Sequence, residues 1–145
     1  MKSFKILPTL IISFFLISCV GKSQNETATN TDKKNIIEVY DFHTTNRCVT
    51  CKSIEANTKY TLETFFAEEL ISVKITFKIV NIDEDGNYEL AKKFKASGTS
   101  LYLNVIGSEK EKQVDLTAFA FTYGRNQDDF STKLKRKIEK QLEKL

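Results

Sequence analysis

The chain has 145 residues, of which 41% are hydrophobic and 28% are charged. This composition is typical of one globular domain with a hydrophobic core, and it excludes a chain that is disordered throughout. The formal charge is +3, but Lys2 and Lys5 belong to a segment that we expect to be removed, which leaves 20 basic against 19 acidic residues. A balanced charge gives no electrostatic support to nucleic-acid binding, so we predict no nucleic-acid partner.

The beginning of the chain has the pattern of an export signal. Lys2 and Lys5 precede an apolar run over residues 6–17. This run is too short to remain as a membrane-spanning helix, and it has the length of a signal-peptide core. We therefore predict that residues 1–18 are a signal peptide.

The end of the apolar run indicates a lipid anchor. Leu16-Ile17-Ser18-Cys19 resembles the bacterial lipobox, whose cysteine is lipidated and becomes the first residue of the mature protein. Several acyl chains on Cys19 would give stable attachment to a membrane. The alternative, an ordinary signal peptide followed by a chance cysteine, leaves a lone thiol in an oxidising compartment, which is disfavoured. We predict a lipoprotein of the bacterial cell envelope whose domain faces the periplasm or the outside.

Residues 19–35 are predicted to be the lipid anchor and a flexible tether. From residue 20 onward this segment is mostly polar and charged and has no aromatic residue, so it cannot bury enough apolar surface to order itself. As a flexible coil of about 16 residues it would span roughly 20–25 Å. This length lifts a domain clear of the lipid headgroups and keeps it near partners in the membrane.

Residues 36–145 are predicted to form one domain. Runs of β-branched and aromatic residues predict strands over residues 36–42, 73–82, 100–106 and 112–116. Apolar positions at spacings of three and four predict helices over residues 48–70 and 88–95, and a last helix from about residue 126. The order β-α-β-α-β-β-α indicates an α/β fold in which the last two strands form a hairpin.

The last helix is predicted to be amphipathic. Asn126 and Asp129 are placed to cap its start. Its apolar stripe consists of Phe130, Leu134, Ile138, Leu142 and Leu145. The opposite face is rich in Lys and Arg, with Glu139 and Glu143 between them. We interpret this face as solvated, in preference to the alternative of a membrane-binding surface.

Two cysteines, Cys48 and Cys51, stand where the first strand pattern gives way to the first helix. At this spacing in a first helical turn both sulfur atoms lie on one face and can form a disulfide with little backbone movement. The unpaired N–H groups and the positive dipole end favour a thiolate at Cys48, and Arg47 and Lys52 act in the same direction. We predict Cys48 as the nucleophile and Cys51, one turn deeper, as the resolving thiol.

A cysteine pair is also half of a zinc site, so metal binding is the alternative. A structural zinc needs four ligands, and beyond this pair the chain has only Cys19 and His43. His43 could join Cys48 and Cys51 as a third soft ligand for copper or zinc. We interpret His43 instead as an ordinary loop residue, and we predict no resident metal and no cofactor.

With a CxxC pair opening the first helix, the element order resembles the thioredoxin fold over residues 36–145. The resemblance implies a three-layer α/β/α domain around a mixed four-stranded sheet. More narrowly, residues 40–43 (YDFH), 47–58 (RCVTCKSIEANT) and 114–121 (VDLTAFAF) resemble a family of small bacterial thioredoxin-like proteins, the ArsF-type subunit of a nitrophenyl compound nitroreductase. That family is grouped with arsenical-efflux proteins and with membrane proteins similar to electron-transferring disulfide reductases. This grouping implies a redox role.

The resemblance also implies roles for two positions outside the cysteine pair. Thioredoxins keep a buried carboxylate that relays protons to the inner cysteine, and Asp41 falls near that position. A plain loop contact is the alternative for Asp41. Thioredoxins place a cis-proline before the strand over residues 100–106, whereas this chain has Ser100 there. The absence of the cis-proline argues against a general thioredoxin activity. It also makes metal binding by the two sulfurs easier.

From these features we predict an exported, membrane-tethered thiol–disulfide oxidoreductase or electron carrier that uses Cys48 and Cys51. It would act as a monomer, accept reducing equivalents from a membrane disulfide reductase and pass them to an exported thiol or disulfide protein. The first alternative is a carrier of copper, zinc or an arsenical that uses the same cysteines. The second is a thioredoxin-fold interaction module whose cysteines are structural.

Overall fold

The computed structural model describes residues 35–145. The predicted signal peptide, the lipid anchor at Cys19 and the tether up to residue 34 lie outside the described residues. The elements within the described part are β1 Ile36–His43, α1 Val49–Phe65, α2 Ala67–Ile71, β2 Ile75–Asn81, a 3₁₀ helix Asp85–Asn87, α3 Tyr88–Phe94, β3 Ser100–Ile106, β4 Glu111–Asp115, α4 Thr117–Tyr123 and α5 Gln127–Leu142.

The four strands form one mixed sheet in the order β2-β1-β3-β4. Strand β2 runs parallel to β1, while β3 runs antiparallel to β1 and β4 runs antiparallel to β3. Phe42 at one end of β1 is paired with Ser100, and Ile36 at the other end is paired with Ile106. The mixed four-stranded sheet agrees with the prediction, and β1 lies at its centre.

Alternate residues of β1 belong to two separate cores, because successive side chains of a strand point to opposite faces of the sheet. Ile37 and Val39 lie in the larger core, beneath α1, α4 and α5. Tyr40 and Phe42 lie in a smaller, mainly aromatic core with Phe94 of α3. The domain is therefore α/β with helices on both faces of the sheet, and its strand alternation places Asp41 on the face covered by α1.

The predicted helix over residues 48–70 is two helices. The backbone leaves the helical conformation at Phe66, where φ is −136° and ψ is 30°, and α2 begins after it. Phe66 is 3% exposed and packs in the larger core, whereas its neighbour Phe65 is 41% exposed. The break turns Phe66 inward, and no glycine or proline in this stretch marked it in the sequence.

Helix α4 was not predicted. Its seven residues begin just after β4. They include too few polar residues to show the amphipathic period of a helix. The helix is stabilised by its surroundings, since the ring centroid of Phe119 lies 5.1 Å from that of Phe130 of α5 and Ala120 is buried. Short helices without an amphipathic pattern depend on such tertiary packing more than on local propensity.

The last helix agrees with the prediction. The side-chain Oδ1 of Asn126 accepts a hydrogen bond of 3.1 Å from the N–H of Asp129, which caps the start of α5. Phe130, Leu134 and Ile138 of the predicted stripe are fully buried. Across residues 35–145, none of the helices is both long enough and apolar enough to cross a membrane.

Candidate functional site

Cys48 and Cys51 form a disulfide at the start of α1. Their Cα atoms are 5.1 Å apart, within the range that a disulfide requires. Cys48 is the N-cap residue and is exposed, whereas Cys51 lies in the first turn and is only 7% exposed. The pair thus presents one sulfur to solvent and shields the other, which is the asymmetry that the spacing predicted.

The backbone around Cys48 is arranged to receive negative charge on its sulfur. The N–H of Cys51 points at the Cys48 sulfur at 3.1 Å, in the manner of an N-cap hydrogen bond. The first turn of α1 contains no acidic side chain that would compete for the helix N-terminus. After reduction the same N–H and the helix dipole would stabilise a thiolate at Cys48.

The loop between β1 and α1 is fixed to the neighbouring strand end. The N–H of Thr45 donates to Oδ2 of Asp83 at 2.7 Å, and Nδ2 of Asn81 donates to Oγ1 of Thr45 at 3.2 Å. The hydrogen bond from Thr45 lowers the pKa of Asp83. These contacts hold the segment before Cys48 in place and so help to fix the position of Cys48.

Asp41 is a fully buried carboxylate within β1, on the face covered by α1. Neither of its oxygens has a hydrogen-bond partner among residues 35–145. Burial raises the pKa of Asp41 to about 7; the Arg47 guanidinium opposes this rise and the Glu55 carboxylate adds to it. A group with this pKa can take up or release a proton near neutrality, which an ordinary aspartate cannot.

Arg47 connects Asp41 to the disulfide. Its Nη2 lies 3.6 Å from Oδ2 of Asp41 and donates to the carbonyl oxygen of Cys51 at 3.3 Å, while Nη1 donates to Glu55. The positive charge of Arg47 is therefore shared between two carboxylates, Asp41 and Glu55. Lys52 is exposed and makes no salt bridge in the described part of the chain.

Two residues near the disulfide were not singled out from the sequence. Glu55 follows Cys51 by one helical turn on α1, a spacing that could have indicated a shared face. Val49 follows Cys48 directly and is 69% exposed. Single exposed apolar residues are common on protein surfaces, so the exposure of Val49 alone assigns it no role.

His43 and Ser100 lie at the ends of strands near the site. The Nδ1 atom of His43 is 2.9 Å from the carbonyl oxygen of Thr44, so one ring nitrogen is engaged by the backbone. Within residues 35–145 no three His, Cys, Asp or Glu side chains are grouped as metal ligands. Ser100 is buried, pairs with Phe42 and donates its hydroxyl to the carbonyl oxygen of Gly98 at 3.2 Å.

Comparison with known proteins gives similarities to solved structures, among them the two that follow. No family model matches the chain, and no curated protein matches it either. The structure of a malarial protein is 16% identical with a TM-score of 0.39, over 63% of this chain and 99% of that one. The first two thioredoxin domains of Naumovozyma dairenensis Eps1p are 28% identical with a TM-score of 0.39, over 64% of this chain. This chain spans 35% of the length of that structure.

Proposed function

We propose that the chain is a thiol–disulfide oxidoreductase or electron carrier with a thioredoxin-like fold. The observation that carries the proposal is the disulfide between an exposed N-cap Cys48 and a shielded Cys51 in the next turn of α1. A disulfide placed to stabilise a fold has no need of a helix N-terminus directed at one of its sulfurs. A reactive pair does, because that position lowers the pKa of the attacking thiol.

The thioredoxin-like fold is supported by the arrangement of elements. The order β-α-β-α-β-β followed by a last helix, the CxxC pair at the start of α1 and helices on both faces of the sheet agree with what the sequence resemblance implies. Helix α4 is an addition to that order. The buried Asp41 beneath the start of α1 supports the same assignment.

The reaction proceeds in two exchange steps. The Cys48 thiolate attacks one sulfur of a partner disulfide, forms a mixed disulfide and releases the other partner sulfur as a thiolate. The deprotonated Cys51 thiol then attacks the Cys48 sulfur, which restores the Cys48–Cys51 disulfide and releases the second partner thiolate. The partner gains two electrons and this chain loses two. A donor dithiol returns the pair to its reduced form by the reverse sequence.

Asp41 is the proposed acceptor for the Cys51 proton. Cys51 is shielded from solvent, so its thiol needs a nearby base before it can attack. Arg47 Nη2 contacts both Asp41 and the backbone carbonyl of Cys51, so the carboxylate and the inner cysteine share one neighbour. With a pKa of about 7, Asp41 is ionised often enough to accept the proton at neutral pH.

The location and partners form the second half of the proposal. The lipobox-like sequence ending at Cys19 and the polar segment to residue 35 support a domain tethered to the membrane of a bacterial cell envelope. The donor would be a membrane disulfide reductase and the acceptor an exported thiol or disulfide protein. The domain would work as a monomer without a bound cofactor.

Trapping of mixed disulfides tests the proposal. In a Cys51→Ser variant the second exchange step is lost, so partners should accumulate as mixed disulfides on Cys48 that a reductant releases. A Cys48→Ser variant is the matched control, because it keeps one thiol and the fold but removes the nucleophile. If neither variant forms mixed disulfides with exported proteins or with a small model disulfide, the redox assignment is wrong.

Metal content separates this proposal from the carrier hypothesis. A carrier of copper, zinc or an arsenical that uses Cys48, Cys51 and His43 requires close to one equivalent bound to the reduced chain, and the Cys48→Ser variant must lose it. We expect the reduced wild-type chain to hold well below one equivalent after purification without chelators. A stoichiometric, Cys48-dependent metal would favour the carrier instead.

A further inference from the structure

A groove lined with lysines lies between β4 and α5. It has a volume of about 250 Å³, and Lys112, Lys137, Lys140 and Lys144 line it over a floor that includes Val114 and Leu116. No carboxylate is among its lining residues. Three of these lysines are exposed and Lys137 is half-buried. The groove therefore concentrates four positive charges around a small space open to solvent.

The charges of the four groove lysines are not paired with acidic side chains within residues 35–145. None of them forms a salt bridge in the part of the chain that the structure describes. On the same helix, Lys133 and Lys135 are paired with Asp129 and Glu139. The salt bridges along α5 thus involve lysines outside the groove. The positive charge of the groove lysines is left for an external anion.

One end of the groove lies where the chain leads back toward Cys19. Nδ2 of Asn35, just before β1, donates to the carbonyl oxygen of Leu145 at 2.8 Å, next to Lys144. Lys112 is paired with Val105, close to the start of β1. The disulfide follows the other end of β1. The eight residues of this strand span about 25 Å at the ordinary rise of a strand. The groove itself runs along β4, since Leu116 also lines it and the Leu116 N–H donates to the carbonyl oxygen of Leu101, which is paired with Asp41 nearer the disulfide end of β1.

We propose that this groove binds the phosphate headgroups of an anionic membrane surface, which replaces the solvated face predicted for this part of α5 from the sequence. Its charge is complementary to phosphodiester groups, and the chain that precedes Asn35 contains the predicted lipid-bearing Cys19. The proposal rests on the membrane tether of the proposed function and does not depend on its redox chemistry. Docking through the groove would hold the β4 edge of the sheet against the membrane.

A protective role for the lysines is the competing explanation. Strand β4 is an edge strand, and lysines on edge strands prevent pairing with other chains. That explanation accounts for Lys112 on β4. Lys137 has a contact of its own, since its ammonium lies 5.1 Å from the ring centroid of Phe119. The protective role leaves Lys140 and Lys144 unexplained, because these side chains come from α5 and the residues after it and do not lie on the strand edge.

Accessibility of the lysines to a water-soluble amine reagent tests the proposal. The full-length chain is reconstituted on vesicles of neutral phosphatidylcholine and on vesicles that also contain phosphatidylglycerol, and labelling at each lysine is mapped by peptide mass spectrometry. We expect labelling of the four groove lysines to fall about tenfold or more with the anionic lipid, since each cation near such a surface contributes a factor of roughly five. Lys52, beside the disulfide, should label equally on both.

Salt and variants provide the controls. Protection should disappear at about 1 M salt, where the Debye length is about 3 Å. A double variant, Lys140→Gln with Lys144→Gln, should lose the protection of Lys112, whereas Lys59→Gln with Lys92→Gln should keep it. Equal labelling of groove lysines on both vesicle types, or protection that survives the double variant, would overturn the proposal. The labelling does not involve either cysteine, so a failure here is separate from a failure of the redox assignment.

Discussion

Nη2 of Arg47 lies 3.6 Å from Oδ2 of Asp41, a carboxylate with no exposed surface and no hydrogen-bond partner among residues 35–145. Burying an ion pair of this kind is costly unless the geometry is very good, because both charges lose their hydration. Such a cost is common at functional sites, where perturbed pKa values serve the chemistry. The buried Asp41 and its contact with Arg47, which also donates to the Cys51 carbonyl, therefore distinguish this site from a structural cross-link.

Asp41→Asn is expected to remove a pH dependence of stability. The pKa of Asp41 rises from 3.8 to about 7 on folding, so between these values the folded state holds a proton that the unfolded state has lost. Stability of the wild type must then fall as pH rises through this window and level off above it. Urea unfolding of the oxidised protein should show a loss of about 3 kcal/mol between about pH 5 and about pH 8. A wild type and a variant with parallel pH profiles would contradict the buried titration.

Arg47→Gln is expected to destabilise the oxidised protein most at alkaline pH. The substitution leaves the ionised Asp41 buried without its positive neighbour, a loss of about 3 kcal/mol or more above pH 7. Below about pH 5 Asp41 is neutral, so the loss should be smaller. Lys52→Gln is the matched control, because it removes a positive charge near the same cysteines at an exposed site. Equal effects of the two substitutions would show that Asp41 does not depend on Arg47.

Gly124→Ala is expected to destabilise the fold by about 1–3 kcal/mol through overpacking. A Cβ at this position would lie 2.5 Å from the carbonyl oxygen of Ala120 and 2.7 Å from Cγ1 of Ile54. The carbonyl of Gly124 also accepts a buried hydrogen bond of 2.9 Å from Nδ2 of Asn57, which ties α1 to the end of α4. Gly86→Ala has open space around it and should change the free energy of unfolding very little. Thermal or urea unfolding of the two variants measures the difference.

Helices and strands with a regular apolar pattern in the sequence were predictable. Elements whose bounds depend on long-range packing were not. The stripe of α5 and its Asn126 cap are local features, and the structure agrees with them. Phe65 and Phe66 are adjacent and chemically equal, and only the shape of the core decides which one is buried. The sequence alone therefore did not place the break between α1 and α2.

The candidate site divides in the same way. Cys48 and Cys51 are neighbours on one helical turn, so their pairing and their unequal exposure follow from spacing alone. The contact of Arg47 with Asp41 and Glu55 depends on how α1 sits over β1. The nearness of Arg47 to Cys48 in the sequence predicts an effect on that thiol, and it could not show that the guanidinium also contacts two carboxylates.

Cys19→Ala is expected to abolish incorporation of labelled fatty acid into the chain when it is expressed in a bacterium. The prediction depends on residues 2–19 alone, whose pattern indicates export followed by lipidation of Cys19. Cys48→Ala is the matched control, since it removes a cysteine and leaves the lipobox-like sequence intact. A wild-type chain that retains Met1, or that incorporates no fatty acid, would contradict the predicted anchor.

The unequal reactivity of Cys48 and Cys51 is the most direct test of the redox assignment. The reduced chain is treated briefly with iodoacetamide near neutral pH, and the alkylated cysteine is identified by peptide mass mapping. Cys48 is exposed and receives the N–H of Cys51, whereas Cys51 is buried, so we expect Cys48 to react about tenfold faster or more. Modification of Cys51 first, or of both cysteines at equal rates typical of ordinary thiols, would contradict the assignment of Cys48 as the nucleophile.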